Sequence, residues 1–352
     1  MNAKKAVLLA GAGMAGAGLL CAGATALAAY GCARRLGQRR LRGKVVLITG
    51  SSRGLGLALA EEFGKRGAKL ILTAQNPWEL ERAKESLVGR GLVTGADDVL
   101  VIPADLRQAG EAQSVVDKAT EEFGRIDVLV NNAGIITVGP VENQTIEDFH
   151  DVMETNFFTG VHCALAVVPQ MLRRRSGTIV NIASIGGKVA VPHLLPYTAS
   201  KFAAVGFSQG LHAELRSKGV HVMTVCPGLM RTGSHVGAQF SGDAAREYRW
   251  FSLAANLPGI SISARNAARR IVLGVLLGET EIAITPQAIV ASRLANLAPE
   301  AVGLGMGMVN RLLPGPVAEG ARRQRGADVR GLETAPASRM GRAAARRYNQ
   351  TA

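Results

Sequence analysis

Residues 44–56 read KVVLITGSSRGLG, and few folds can use such a stretch. The KVVLITG part is a short β-branched apolar run, as a parallel strand buried on both faces requires. After the turn, Leu55, Leu59 and Phe63 recur at i, i+4 and i+8, while Glu61, Glu62, Lys65 and Arg66 fall largely on other faces. Strand, glycine turn and helix together make a phosphate-binding turn credible, because a helix N-terminus offers backbone N–H groups with no internal partner.

A second glycine cluster lies upstream in LLAGAGMAGAG, where Gly11, Gly13 and Gly16 formally match GxGxxG. Its context differs. From Ala6 to Ala33 no residue is charged, and the first acid of the chain is Glu61. A bilayer core needs about 20 apolar helical residues. These glycines and alanines therefore read as the small packing residues of a transmembrane helix rather than a nucleotide turn. Ala26-Leu27-Ala28 is also the small-residue pattern of a signal-peptide cleavage site, the rival reading. Arg34, Arg35, Arg39, Arg40, Arg42 and Lys44 follow at once, which favours an uncleaved single-pass anchor with the remaining chain on the cytoplasmic side.

The net charge of +14 would suggest nucleic acid were it spread over a folded face. Residues 1–44 carry +8 and residues 317–352 carry +5, leaving +1 for everything between. The body is nearly neutral, so no nucleic-acid partner is expected. Cys21, Cys32, Cys163 and Cys226 are scattered without disulfide or zinc spacing, and the six histidines are isolated, so no metal site is expected.

Strand-like runs at 45–50, 69–74, 99–104, 126–131, 178–183, 221–226 and 281–285 alternate with helical stretches. This pattern predicts an α/β fold: one doubly wound, Rossmann-type parallel sheet of about seven strands with helices on both faces. The expected organisation is a membrane anchor and basic flank at 1–43, an α/β domain at 44–286, an apolar helical extension at 287–316 and a basic, disordered tail at 317–352.

Over residues 43–286 the chain resembles the short-chain dehydrogenase/reductase family. Thr49, Gly50, Ser52, Arg53, Gly54, Leu55 and Gly56 lie in a TGxxxGxG turn, and Asn132, Ala133 and Gly134 in an NNAG. Asp105 and Leu106 sit in VIPADL, Pro227 and Gly228 form the PG, and Thr232 follows it. Asn156, Ser184, Tyr197 and Lys201 stand where the family has its Asn-Ser-Tyr-Lys tetrad. The resemblance implies a nicotinamide cofactor held by the turn, by Asp105 at the adenine, and by Pro227, Gly228 and Thr232 beside the nicotinamide. It also implies that Lys201 binds the ribose hydroxyls and that Asn156 holds a proton-relaying water.

Hydride transfer to a carbonyl needs a proton donor for the oxygen, and Tyr197 is the candidate. Lys201, one helical turn on, would lower the phenol's pKa, and Ser184 would hydrogen-bond the substrate oxygen. LILTAQNPW, at the end of the second strand, has no acid to bind a ribose 2′-hydroxyl, and Arg53 suits a 2′-phosphate. NADP(H) is therefore expected, with NAD(H) the alternative. His193, four residues before Tyr197, is placed to face substrate.

Phe240, Tyr248, Trp250, Phe251 and Leu253 lie in a lid-like stretch after Thr232, either covering a lipophilic small-molecule substrate or packing the lid down. The apolar 287–316 stretch suits a membrane surface or a dimer partner equally, and a homodimer or homotetramer is expected. The expected function is hydride transfer between the nicotinamide and a lipophilic ketone, aldehyde or secondary alcohol. The alternative is a non-catalytic nucleotide-binding protein, a redox sensor or scaffold, which would have no use for Tyr197 and Lys201 together.

Overall fold

The computed structural model describes residues 41–257, 259–318, 323–329 and 337–350. Seven strands form one sheet: β1 (Val45–Thr49), β2 (Lys69–Ala74), β3 (Val99–Pro103), β4 (Val128–Asn131), β5 (Gly177–Ile182), β6 (Val220–Cys226) and β7 (Glu281–Ala283). Their order is β3-β2-β1-β4-β5-β6-β7, with every neighbouring pair parallel. The strands fall within two residues of the expected ranges, because short Val/Ile/Leu runs between glycines leave little choice of boundary. The chain winds outward from β1 in both directions, so a crevice opens at the carboxyl ends of β1 and β4.

Helices cover both faces. On one side α1 (Gly54–Gly64), α2 (Pro77–Gly89) and, later in the chain, the helix at Ala264–Leu277 pack on Val46, Ile48, Leu70 and Leu72. On the other, α3 (Ala109–Phe123) and the helices at Thr159–Arg174 and Leu195–Leu215 pack on Leu47, Ile71, Ile179 and Val222. Every residue of α1 is buried, Glu61 and Glu62 included. The amphipathic reading of this helix is thus corrected. Its carboxylates are tolerable because each is paired: Glu62 with Lys65 and Arg66 at 2.8 and 2.9 Å, Glu61 with Arg90 at 2.5 Å.

Local signals place the helices that carry the site. Asn76 caps α2, its side-chain oxygen accepting from the N–H groups of Trp78 and Glu79, with Pro77 at the first turn. Thr145 and Asp148 form a capping box at the start of α4 (Ile146–Met153), which runs through a π-helical turn at Glu154–Phe158 into α5 (Thr159–Arg174). Helix α6 (Leu195–Leu215) follows β5.

The sheet carries one polar row. Asn131, Asn181 and Thr224 are register partners on β4, β5 and β6. Asn131 Nδ2 donates to Asn181 Oδ1 at 2.9 Å, and Asn181 Nδ2 to Ser208 Oγ on α6 at 2.9 Å. Thr224 Oγ1 donates to the same Ser208 oxygen at 2.7 Å.

Beyond the sheet lie α7 (Ala244–Asn256), α8 (Ala264–Leu277), α9 (Pro286–Leu297) and α10 (Pro299–Asn310). Helix α10 has no buried residue, and Leu297, Leu304 and Leu312 are largely exposed. The tail from 317, expected to be disordered, carries regular elements among its described residues. Gln324–Arg325 pairs antiparallel with Gln239–Phe240, and α11 (Ala337–Arg347) packs on α7. Composition misses this because the buried anchors are few, Val329, Ala345 and Tyr348, with backbone, glycine and ion-pair contacts supplying the rest. Among the described residues no helix is long and apolar enough to cross a membrane, and the expected anchor at 6–33 lies outside them.

Ser208 is fully buried and accepts two hydrogen bonds. Ser208→Ala leaves both donors unpaired, and urea unfolding is expected to show a loss of about 2 kcal/mol; a change below about 0.5 kcal/mol would contradict the role given to this row.

Candidate active site

The cleft at the crevice has a volume of about 790 Å³. Of the residues singled out from sequence, Gly50, Ser52, Arg53, Gly54, Leu55, Asp105, Leu106, Asn132, Ala133, Gly134, Ser184, Tyr197, Lys201, Pro227, Gly228 and Thr232 line it. Thr49, Gly56 and Asn156 stand behind that lining.

The glycine turn is built by sterics. Gly50 and Gly54 have φ of +60° and +59°, a region L side chains seldom adopt. A side chain at Gly56 would strike the Gly50 carbonyl oxygen and lie 2.7 Å from Asn132 Nδ2. Polar bonds then fix the facing loop. Thr49 Oγ1 accepts from the N–H groups of Asn132 and Ala133 at 2.9 and 3.0 Å. The Asn132 side chain donates to the carbonyls of Thr49 and Gly50 at 3.0 and 3.1 Å. Ser51 Oγ accepts the Thr73 N–H at 2.9 Å, tying the turn to β2. A narrow cradle results, with N–H donors at the start of α1, and it fits a dinucleotide's phosphates.

The proton-handling end is assembled from α6 and the loop after β5. Ser184 accepts from the Gly186 N–H at 3.0 Å and hydrogen-bonds Tyr197. Burial pushes the Tyr197 phenol up from its ordinary pKa, while the Ser184 bond acts against this. Lys201 Nζ lies 5.7 Å from the Tyr197 ring centre and donates to the Ile182 carbonyl at 3.0 Å. Burial pulls its ammonium down to about 8. Asn156, in the π-helical turn, accepts from the Ile135 N–H at 2.7 Å and donates to the Ile135 carbonyl and to Ser200 Oγ, both at 3.0 Å. Ser200 Oγ in turn donates to the Tyr197 carbonyl at 2.7 Å. Ser200, which sequence reasoning passed over, therefore links Asn156 to the helical turn carrying Tyr197.

At the opposite end, Asp105 is held by Arg107 through paired bonds of 2.9 and 2.5 Å, which bring its carboxyl down to about 2. Glu79 also lines the cleft. It accepts from Ser52 Oγ at 2.9 Å and lies 3.7 Å from Arg53 Nη1. Sequence offered no hint of Glu79 or Arg107, since nothing local distinguishes them from solvated charges.

His193 does not line the cleft. It is buried at φ +62°, with Nδ1 2.8 Å from Glu247 Oε1 on α7, and Trp250 Nε1 donates to the other Glu247 oxygen at 2.6 Å. The expectation that it faces substrate is corrected: it fastens the lid. Phe240, Tyr248 and Phe251 are buried against one another and Val138, and Leu253 points outward, half-exposed. None of the four lid aromatics, nor Leu253, lines the cleft, so of the two readings the packing one is observed. Apolar walls come instead from Ile135, Ile136, Met230 and Val236.

The sequence profile described as short chain dehydrogenase matches residues 44–239. A dehydrogenase/reductase SDR family protein 7-like of Anopheles gambiae is 38% identical over 200 residues, which are 57% of this chain and 63% of the relative. The Drosophila melanogaster protein of the same description is 34% identical over 263 residues, 74% of this chain and 79% of the relative. The chain thus spans somewhat under two thirds of the mosquito protein's length. A crystal structure of a short chain dehydrogenase/reductase from Burkholderia phymatum in complex with NAD superposes with a TM-score of 0.65 at 25% identity, covering 80% of this chain and 99% of that one.

The Lys201 amine, at about 8 in the folded chain, returns to about 10.5 on unfolding. The unfolded chain binds the extra proton, so burial costs stability below pH 8, and the cost fades between pH 8 and 10.5. Lys201→Met is expected to be more stable than the natural chain at pH 7 by about 2–3 kcal/mol. The gap should narrow across that window in urea titrations; one independent of pH would contradict the burial effect.

Proposed function

The chain belongs to the short-chain dehydrogenase family, and we propose that it is an NADP(H)-dependent oxidoreductase interconverting a lipophilic ketone or aldehyde and its alcohol. The observation that carries this reading is that Ser184, Tyr197 and Lys201 converge on the same cleft as the glycine cradle. When bound, the nicotinamide supplies or accepts the hydride.

The chain's own residues do the rest. Tyr197 Oη gives its proton to the carbonyl oxygen as charge develops there, or takes it back in the oxidative direction. Ser184 Oγ donates to the same oxygen, stabilising that charge where water is excluded. In this reading the Lys201 ammonium, 5.7 Å from the Tyr197 ring centre, favours tyrosinate, while the Ser184 bond acts against the burial that raises the phenol. In this reading Lys201 also binds ribose hydroxyls, Asp105 contacts the adenine, and Asn156 holds the relaying water while fixing the Ile135 backbone. Pro227, Gly228 and Thr232 border the nicotinamide.

Arg53 supports NADP(H), being half-exposed at the rim of the turn where a 2′-phosphate would lie. Glu79 beside it favours a second reading, NAD(H), since a carboxylate there would accept from a ribose hydroxyl and repel phosphate. The apolar walls Ile135, Ile136, Met230 and Val236 support a lipophilic substrate. An anchor at 6–33 would hold the site beside a membrane, on its cytoplasmic side. The exposed Leu165 and Phe202 on α5 and α6 suit a homodimer or homotetramer.

Two measurements test this. Purified full-length protein is assayed for NADPH oxidation over a panel of lipophilic ketones and aldehydes. Tyr197→Phe is expected to lose about 10²- to 10⁴-fold in turnover while still binding NADPH. Binding without turnover of any substrate by the natural chain would support the non-catalytic alternative. In a separate titration, Arg53→Ala is expected to weaken NADPH about tenfold and leave NADH unchanged. Tighter NADH than NADPH binding in the natural chain would favour the Glu79 reading.

A further inference from the structure

Residues 323–329 and 337–350 run from one wall of the cleft to the other. At one side Arg323 grips α4, with Nη1 2.6 Å from Asp148 and Nη2 2.9 Å from Asp151. Arg325 and Ala327 line the cleft, and the Gly326 N–H donates to the Ala238 carbonyl at 2.8 Å. Helix α11 then comes so close that a side chain at Gly233 would lie 2.6 Å from Ala345 Cα. On the far side the segment ends on the glycine turn. The Gly54 N–H donates to the Tyr348 carbonyl at 2.8 Å, and Asn349 Nδ2 donates to the Ser52 carbonyl at 3.2 Å. Tyr348 is itself buried, and Arg347 lies 3.6 Å from the buried Glu61.

We propose that this carboxyl-terminal segment is an autoinhibitory strap, which competes with the dinucleotide for the glycine turn and is displaced when the cofactor binds. The inference rests on the cofactor reading above. Gly54 opens α1, so its N–H is one of the donors that a phosphate would use, and the helix itself provides no acceptor for it. A protein carbonyl already accepts it. A phosphate brings full negative charge and forms the stronger, charge-assisted bond, so it wins the exchange but at reduced apparent affinity. The strap's outer fastenings, ion pairs through the partly exposed Arg323 and Arg347 and a two-residue strand, suit reversible release, whereas Val329, Ala345 and Tyr348 are buried and are uncovered when it leaves.

The test uses the full-length chain and two variants at opposite ends of the strap, Tyr348→Ala and Arg323→Ala, each checked for folding by circular dichroism. NADPH affinity and association rate are measured by titration and stopped-flow fluorescence. Both variants are expected to bind roughly fivefold or more tightly, through faster association. In the natural chain, NADPH is expected to speed trypsin cleavage after Arg346 and Arg347. Equal or weaker binding by a folded variant, or protection of those two sites by NADPH, overturns the strap and leaves the cofactor reading standing. Failure of all three chains to bind NADPH or NADH overturns the cofactor reading, and the strap with it.

Discussion

The site depends on a reciprocal knot between β1 and β4. One hydroxyl, Thr49 Oγ1, accepts two consecutive backbone N–H groups from Asn132 and Ala133, and the Asn132 side chain returns two bonds to the carbonyls of Thr49 and Gly50. These residues are 83 positions apart in sequence and would otherwise be two loose loop ends. With the knot tied, the glycine turn and the loop ending at Gly134 become one wall. Gly134 then brings the main chain against Asn156 and to within reach of Lys201. Without it, the crevice of the doubly wound sheet would still exist, but its floor would have no fixed shape.

Much of this was legible in the sequence, and the reason is local. Strand positions, the glycine turn and the spacing of Tyr197 and Lys201 are set within a few residues of one another, where periodicity and turn chemistry act. What was not legible depends on partners far away in the chain. Glu61 looks like a surface acid until Arg90 and Arg347 arrive to pair it. His193 looks like a substrate contact until Glu247 takes it for the lid. Glu79 and Arg107 reach the cleft only because the ends of β2 and β3 bring their loops beside the turn. The tail is anchored by Val329, Ala345 and Tyr348, too few buried residues to make a periodic pattern that could announce its docking.

Chemistry and stability pull against each other at α6. A lysine is placed where water is largely absent, which makes its charge costly; in the proposed mechanism the same loss of screening would carry its influence to the neighbouring phenol. The surroundings compensate with neutral donors and acceptors rather than a carboxylate: the Ile182 carbonyl receives the ammonium, and Ser200 and Asn156 hold the helical turn around it. A carboxylate partner would stabilise the lysine and spend its charge there, leaving less field at Tyr197.

The polar row across β4, β5 and β6 has a meaning beyond its own bonds. Strands made of Val, Ile and Leu look much alike to one another after a slip of two residues, since the same faces stay apolar. Asn131, Asn181 and Thr224 break that degeneracy, because only one alignment gives each a partner. Ser208, which closes the row, lies seven residues after Lys201 and so shares its face of α6. The row is therefore a vernier between layers: it indexes the height of the helix against the sheet, and a lysine two turns away inherits its position from an asparagine in the core.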